Sequence, residues 1–329
     1  MQEYRLTDGG CNRHMVTKVV ATAFGGPEVL AVIDEEVGAP GAGHVLLEIR
    51  AAGTNPIDYK LYSGARGKDP ALLPMSLGLE ASGVVLAVGD GAEGPAGAVH
   101  VGDEIIAFHA PGSYAERLIV PGSAVVPKPP DLSFEEAAGL MLAGTTAVHA
   151  LVAVGVQKVE TLVLHGASGG VGLLAVQLAV AQGVRVIGTA GEASHAELRR
   201  LGAEPVLYGE GLVERIRDLA PEGVDAAIDI VGTDEAIDAS LELVADRRRI
   251  ATLAAAQRGL ALGIQALGSA PGADPGFEIR ANARLDLAQQ AAKALIEVRV
   301  AATYPLAEAA EAHRQLATGH AHGKIVLVP

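Results

Sequence analysis

The sequence predicts a two-domain α/β protein: a β-rich, barrel-like domain and, inserted into it, a parallel sheet covered by helices on both faces. Three observations predict it. The chain has 329 residues, more than one hydrophobic core usually spans. Its first part strings short β-branched runs between Gly and Pro, whereas from Asp131 strand-like and helix-like runs alternate, the pattern of repeated βα units. Within that second part, Thr161–Val180 reads as a short apolar strand, a glycine-rich turn and a helix.

The elements follow in order. Residues 1–14 are polar, lack the apolar run of a signal peptide, and read as a disordered extension ahead of Met15. Thr17–Thr22 and Val29–Asp34 are strands joined across Gly25-Gly26-Pro27. Further strands are expected at Val45–Ala51, Gly83–Val88, Glu104–Phe108 and Ala115–Val120, with Gly or Pro at nearly every junction. A helix opens near Asp131, with Ser133 as N-cap and Glu136 completing a capping box. Strands follow at Leu162–Leu164, Arg185–Thr189, Pro205–Tyr208, Ala226–Val231 and Arg249–Leu253. Helices fall at Val171–Ala181, Ser194–Leu201, Leu212–Leu219 and Asp234–Val244. Residues 255–283, rich in Gly, Ala and Pro, resist assignment. A helix at Leu285–Glu297, a strand at Arg299–Tyr304, a helix at Leu306–Leu316 and a strand at Lys324–Val328 complete the chain. The β domain therefore comprises 15–137 and 298–329, and the βα domain 138–297.

Composition narrows the function. A net charge of −14 disfavours nucleic acid and anionic membranes as partners. No apolar run reaches the roughly 18 residues of a membrane span. The single cysteine, Cys11, excludes an intramolecular disulfide and any multi-cysteine zinc site, and fits a reducing, cytoplasmic setting. Aromatic residues are 3% of the chain and tryptophan is absent, so a base-stacking platform is not expected.

The chemistry centres on the turn between Gly166 and Gly172. A glycine turn between strand and helix lets backbone N–H groups approach a pyrophosphate, and the helix N-terminus adds a partial positive charge. The strand–turn–helix context points to a dinucleotide. An ordinary strand-to-helix connection would need glycine only for its positive φ.

Several motifs together resemble the zinc-free quinone oxidoreductase branch of the medium-chain dehydrogenase/reductase family. They are Asn55-Pro56-Ile57-Asp58 with Ser63-Gly64, Gly78-Leu79-Glu80-Ala81-Ser82-Gly83-Val84-Val85, Val101-Gly102-Asp103, Gly112-Ser113-Tyr114-Ala115-Glu116 and Gly144-Thr145-Thr146-Ala147. The glycine turn and Gly319-His320-Ala321-His322-Gly323-Lys324-Ile325-Val326-Leu327 continue the series. Each motif is modest, but their order and spacing are specific, and the resemblance covers nearly all of Met15–Pro329. It implies a GroES-like β domain, a Rossmann domain, a cofactor cleft between them and a homodimer formed at the Rossmann sheet edge, near Ala261–Gln265.

The resemblance also assigns residues. It places Gly166, Gly169 and Gly172 near the pyrophosphate, with Ser168 and the amides of Gly170 and Val171 as donors; Ala167 stands where a strict G-x-G-x-x-G has its first glycine. NADPH is favoured over NADH, because the second strand ends in Thr189-Ala190-Gly191 without an acid for the ribose hydroxyls. Ser194, His195 and Tyr208 lie where the family meets the 2′-phosphate, while Glu192 would repel it if turned inward. Thr146, Leu253, Ala254, Ala255 and Lys324 are implied near the cofactor, and Asn55, Tyr59 and Tyr62 near the catalytic centre, with Lys60 competing as proton donor. Asn-Pro at 55–56 also reads simply as a turn, and Thr146 as a hydroxyl bonded back to its helix. In the zinc-dependent relatives a Gly-His-Glu motif supplies a metal ligand; here it is Gly78-Leu79-Glu80, and no metal is expected. The expected substrate is a small electrophile, a quinone or an α,β-unsaturated carbonyl. An enoyl-thioester or ketide, or a cofactor-binding structural or sensor role with little turnover, are the alternatives.

Overall fold

A computed structural model describes residues 14–329. The expected disordered extension and Cys11 lie outside the described residues, apart from His14, which opens the strand His14–Ala21. The chain divides into two compact units. One comprises residues up to Lys128 with Thr303–Ala317 and Val326–Pro329; the other comprises Pro129–Ala302 with Thr318–Ile325.

The first unit is built on antiparallel strands. Glu80–Val88 runs between His44–Gly53 and Glu104–Phe108, and Val125–Pro127 and Arg117–Pro121 extend the sheet. Val326 and Leu327 return to pair with Gly53 and Ala52. A smaller sheet joins His14–Ala21 to Leu30–Val37 and Met75–Ser76, and a single bridge, Lys18 to Ala115, links the two. The expected β-rich domain is thus built from these two hydrogen-bonded sheets. Pro56–Tyr62, whose Asn-Pro start also reads as a turn, is a short helix: Pro56 sits at its first position, and Asp58 accepts from the Asn55 amide at 2.8 Å to close its first turn.

The second unit carries six parallel strands. In sequence order they are Thr161–His165, Arg185–Thr189, Glu204–Val206, Ala226–Asp229, Ile250–Thr252 and Gln265–Ala266. Their order across the sheet is third, second, first, fourth, fifth, sixth, so the direction of winding reverses between the first and fourth. Val163, Ile187, Ala227 and Ile250 pack on one face with Leu212, Ile216 and Ile237 from the covering helices. Leu162, Leu164 and Ile228 alternate to the other face, where Met141–Val154 and Gly170–Ala181 pack. Both helices are apolar on nearly every side, which explains why amphipathic spacing did not single out Met141–Val154. It ends where Gly155 turns left-handed.

The sequence misplaced two elements here. Residues 256–262 are helical, so the outermost strand is Gln265–Ala266 rather than Ala261–Gln265. The backbone carbonyl of Ala266 already accepts from the Asp274 amide, which covers part of that edge. The following helix runs Phe277–Ala292, eight residues earlier than its apolar spacing suggested, because Gly276, at φ 60°, turns the chain into it. No described helix is long and apolar enough to cross a membrane.

Candidate active site

In an open parallel sheet, ligands gather at the carboxyl ends of the strands where the winding reverses. His165 ends the first strand there, and Gly166 turns at φ 82°. The turn is held internally: the Gly166 amide donates to the Thr189 hydroxyl at 3.2 Å, and the Ala167 amide to the Thr189 carbonyl at 3.1 Å. The helix Gly170–Ala181 begins without any side-chain cap on Gly169, and its first bond to that residue is from Leu173. The amides of Gly170, Val171 and Gly172 therefore form a first turn without a side-chain cap.

A pyrophosphate fits this arrangement. Ser168, Gly169, Gly170 and Val171 are partly open, whereas Gly172 is buried. A Cβ at Gly172 would lie 2.7 Å from the Ala167 carbonyl carbon, so only glycine lets the helix close onto the turn. The methyl of Ala167 has its own counterpart: a Cβ at Gly188, on the next strand, would lie 2.7 Å from it. The space freed by glycine on the second strand is filled by alanine in the turn. Lys324 is buried and lies along the same helix start; a Cβ at Gly170 would sit 2.9 Å from its Cδ.

At the second strand's end the structure refines the predicted set. Thr189 is 4% exposed and its hydroxyl serves the glycine turn, and Ala190 is also buried. Thr189 therefore braces the turn by accepting from the Gly166 amide. Glu192 is exposed. His195 lies with Nε2 3.2 Å from the Ala190 carbonyl; that nitrogen donates, leaving Nδ1 as the other ring position. Ser194 is buried, its hydroxyl 2.9 Å from Nδ1 of His322, whereas Tyr208 is exposed. The sequence motif around Gly323 contained His322, but spacing alone could not bring it to a residue 128 positions away.

The turns after the fourth and fifth strands are tied by one carboxylate. Asp229 accepts from the Val231 and Gly232 amides at 3.0 and 2.8 Å and from the Thr252 hydroxyl at 2.6 Å. Burial raises its pKa, opposed by those hydrogen bonds. The Ala254 and Ala255 amides donate to Thr252, and the Leu253 amide to the Asp229 carbonyl. These three predicted residues thus form a tethered backbone segment. Thr146, buried on Met141–Val154, accepts a hydrogen bond from Arg280 at 3.1 Å. Sequence reasoning missed Arg280, since it lies in the stretch that had no assignment.

Within the first unit, Asn55 is buried at the head of Pro56–Tyr62 and donates from Nδ2 to Glu80 at 3.0 Å. Tyr62 is 1% exposed and its hydroxyl lies 2.9 Å from Nδ1 of His313, so it faces the interior of the first unit. His313 meets Tyr114 on its other side, Nε2 to hydroxyl 3.0 Å, and Tyr114 donates to Asp58 at 2.9 Å. Burial pushes the His313 pKa down to about 4 and raises both tyrosine pKa values. Tyr59 is only half-buried, its pKa raised by desolvation. Neighbouring Lys60 has its pKa lowered by burial and then by Arg66. The donor set at the Gly-His-Glu position does not fit zinc: Leu79 has no ligating atom and Glu80 accepts from Asn55. No group of three or more His, Cys, Asp or Glu among the described residues could hold a metal.

Comparison with known proteins converges on one family. Residues 41–130 match the alcohol dehydrogenase GroES-like domain, and residues 170–269 the family described as zinc-binding dehydrogenase. A quinone oxidoreductase of Salmonella typhimurium is 32% identical over 335 residues, covering 96% of this chain and all of its own. A rat quinone oxidoreductase is 35% identical over 215 residues, 63% of this chain and 64% of its own length. Among solved structures, a mycobacterial protein complexed with NADPH superposes with a TM-score of 0.83 at 32% identity, covering 95% of this chain and 100% of its own. A protein described as an NAD-dependent alcohol dehydrogenase reaches 0.81 at 30% identity, covering 95% and 99%. With its GroES-like strands and its glycine turn on a parallel sheet of this order, the chain belongs to the quinone oxidoreductases of the medium-chain dehydrogenase/reductase family.

Proposed function

We propose that the protein is an NADPH-dependent reductase of quinones or α,β-unsaturated carbonyls that works without zinc. The observation that carries this reading is the glycine turn, whose uncapped helix start and close Gly172–Ala167 approach suit a pyrophosphate. The bound nicotinamide supplies the hydride. The chain's own residues bind and orient it and stabilise the negative charge that develops on the acceptor oxygen. Gly166, Ser168, Gly169, Gly170, Val171 and Gly172 cradle the pyrophosphate, with Lys324 beside them. Ser194, His195 and Tyr208 meet the 2′-phosphate, and Thr146 with Leu253–Ala255 lines the nicotinamide. Asn55 and Tyr59 are the donors towards the acceptor oxygen. Lys60, whose ammonium burial makes more acidic, is an alternative proton source. Tyr62 acts one step back, through His313. Leu79 in place of a ligating histidine supports zinc independence. The assay is NADPH oxidation with 1,4-benzoquinone and with an enone, each with and without a chelator. Turnover unchanged by chelation is expected; strict dependence on added zinc would contradict the reading.

Cofactor choice has a structural test. Gly191 has extended backbone, and a Cβ there would meet only the Tyr208 hydroxyl, at 3.9 Å. Gly191→Asp therefore introduces a carboxylate at the end of the second strand without a clash. It is expected to weaken NADPH binding at least tenfold more than NADH binding, measured by fluorescence titration. Equal effects on both would remove the NADPH assignment. The family resemblance also implies a homodimer. Because Asp274 covers part of the outer strand, such an interface would use side chains of Ala256–Leu262, where Leu260 is 43% exposed. Sedimentation velocity over a concentration series decides the oligomeric state.

A further inference from the structure

A chain of polar groups in the second unit, buried at Thr146 and His149 and open to solvent at Asp274, reaches Thr146 from a loop that no sequence motif singled out. Arg280, on the helix Phe277–Ala292, donates from Nη1 to the Thr146 hydroxyl at 3.1 Å, and its other nitrogens lie 3.4 Å from Nδ1 of His149. His149 is fully buried, and its Nε2 lies 3.2 Å from a carboxylate oxygen of Asp274. Arginine can only donate, so Nδ1 of His149 is the acceptor and the ring proton sits on Nε2, directed at Asp274. Burial lowers the His149 pKa, which keeps the ring neutral, as this arrangement requires. Burial likewise disfavours the Arg280 charge, and Asp274 is the group that offsets it.

The loop is shaped around the imidazole. Asp274 accepts from the Gly276 amide at 2.9 Å, and Gly276 lies flat against the ring: a Cβ there would sit 2.6 Å from Cγ of His149. The direction of the hydrogen bonds has a consequence at the far end. Because Thr146 accepts from Arg280, its own hydroxyl proton remains to be donated, and the guanidinium behind it makes that proton a stronger donor.

We infer that Arg280, oriented by His149 and Asp274, is a positioning residue that turns Thr146 into a hydrogen-bond donor for a carbonyl oxygen at the nicotinamide end of the site. That oxygen belongs either to the cofactor's carboxamide or to the acceptor. The inference rests on the proposed reductase function. A purely structural role, in which the chain of polar groups merely fastens one helix to another, would act without Thr146.

A double-mutant cycle separates the two. Arg280→Met removes the donor at similar length, and Thr146→Val removes the hydroxyl without changing shape. NADPH dissociation constants without acceptor read the carboxamide; acceptor KM and kcat at saturating NADPH read the acceptor carbonyl. Each single variant is expected to lose about tenfold in one of these readouts, in keeping with a charge-assisted hydrogen bond. The double variant should lose no more than the worse single one. Losses that multiply to about a hundredfold, or an Arg280→Met protein unchanged in both readouts, would overturn the inference. If Arg280→Met lacks a cooperative melting transition, Asp274→Ala takes its place in the cycle, since that side chain is 60% exposed. A wild-type protein that binds no NADPH would overturn the reductase reading and this inference together, whereas wild-type binding with additive variants overturns only the latter.

Discussion

Gly188 and Ala167 show how one residue's identity is set by another's in a different element. The glycine turn has alanine where a tighter version of the turn has glycine, and the methyl is accommodated because the facing position on the second strand lacks one. Gly188→Ala should therefore destabilise the protein by about 1–3 kcal/mol through overpacking. Adding Ala167→Gly to it should recover most of that loss. Urea denaturation of the two single variants and the double variant checks this, and additive losses would mean that the two positions do not share the space. The turn's glycines were legible from the sequence, because strand, turn and helix are contiguous. Gly188 was not, since it lies in a run that reads as plain strand.

At the scale of elements, the short helix Pro56–Tyr62 depends on a side chain from far along the sequence. His313, on Ala309–Ala317, bridges Tyr62 and Tyr114, and Tyr114 reaches Asp58, which accepts from the Asn55 amide. His313 and, in the other unit, His165 both have pKa values pushed down to about 4 by burial, and Nε2 of His165 has no hydrogen-bond partner. In the unfolded chain these rings titrate near 6.5, so between about pH 4 and 6.5 the unfolded state binds more protons. Stability is therefore complete above about pH 6.5 and falls as pH drops towards 4, each ring contributing on the order of 3 kcal/mol across the window. His313→Gln should flatten the slope of the urea midpoint against pH between about 4 and 6.5, while lowering the plateau above it. An unchanged slope would show that His313 takes up its proton without penalty. The sequence marked Asn55 and both tyrosines by family resemblance, but it could not divide them into a half-open Tyr59 and a buried Tyr62. Seven-residue helices carry too little periodicity to show which face is inside.

On the scale of the whole molecule, both units are assembled from separated segments, and the C-terminal residues matter to each. Val326 and Leu327 complete a strand pairing in the first unit, while Lys324 and His322 stand by the glycine turn and Ser194 in the second. The sequence by itself determined the kind of fold, the first five strands of the parallel sheet to within a residue or two and the place of the glycine turn. All of these depend on contiguous patterns, in which period, turn chemistry and spacing are local properties of the chain. It also determined that Leu79 cannot bind a metal, because that follows from the residue type alone. Only the tertiary structure decided that Thr189 braces the turn, that Tyr62 faces His313, and that Arg280 stands behind Thr146. Each of these depends on which hydrogen-bond donor meets which acceptor across tens to hundreds of residues, and burial leaves each such group only the partners that packing brings to it.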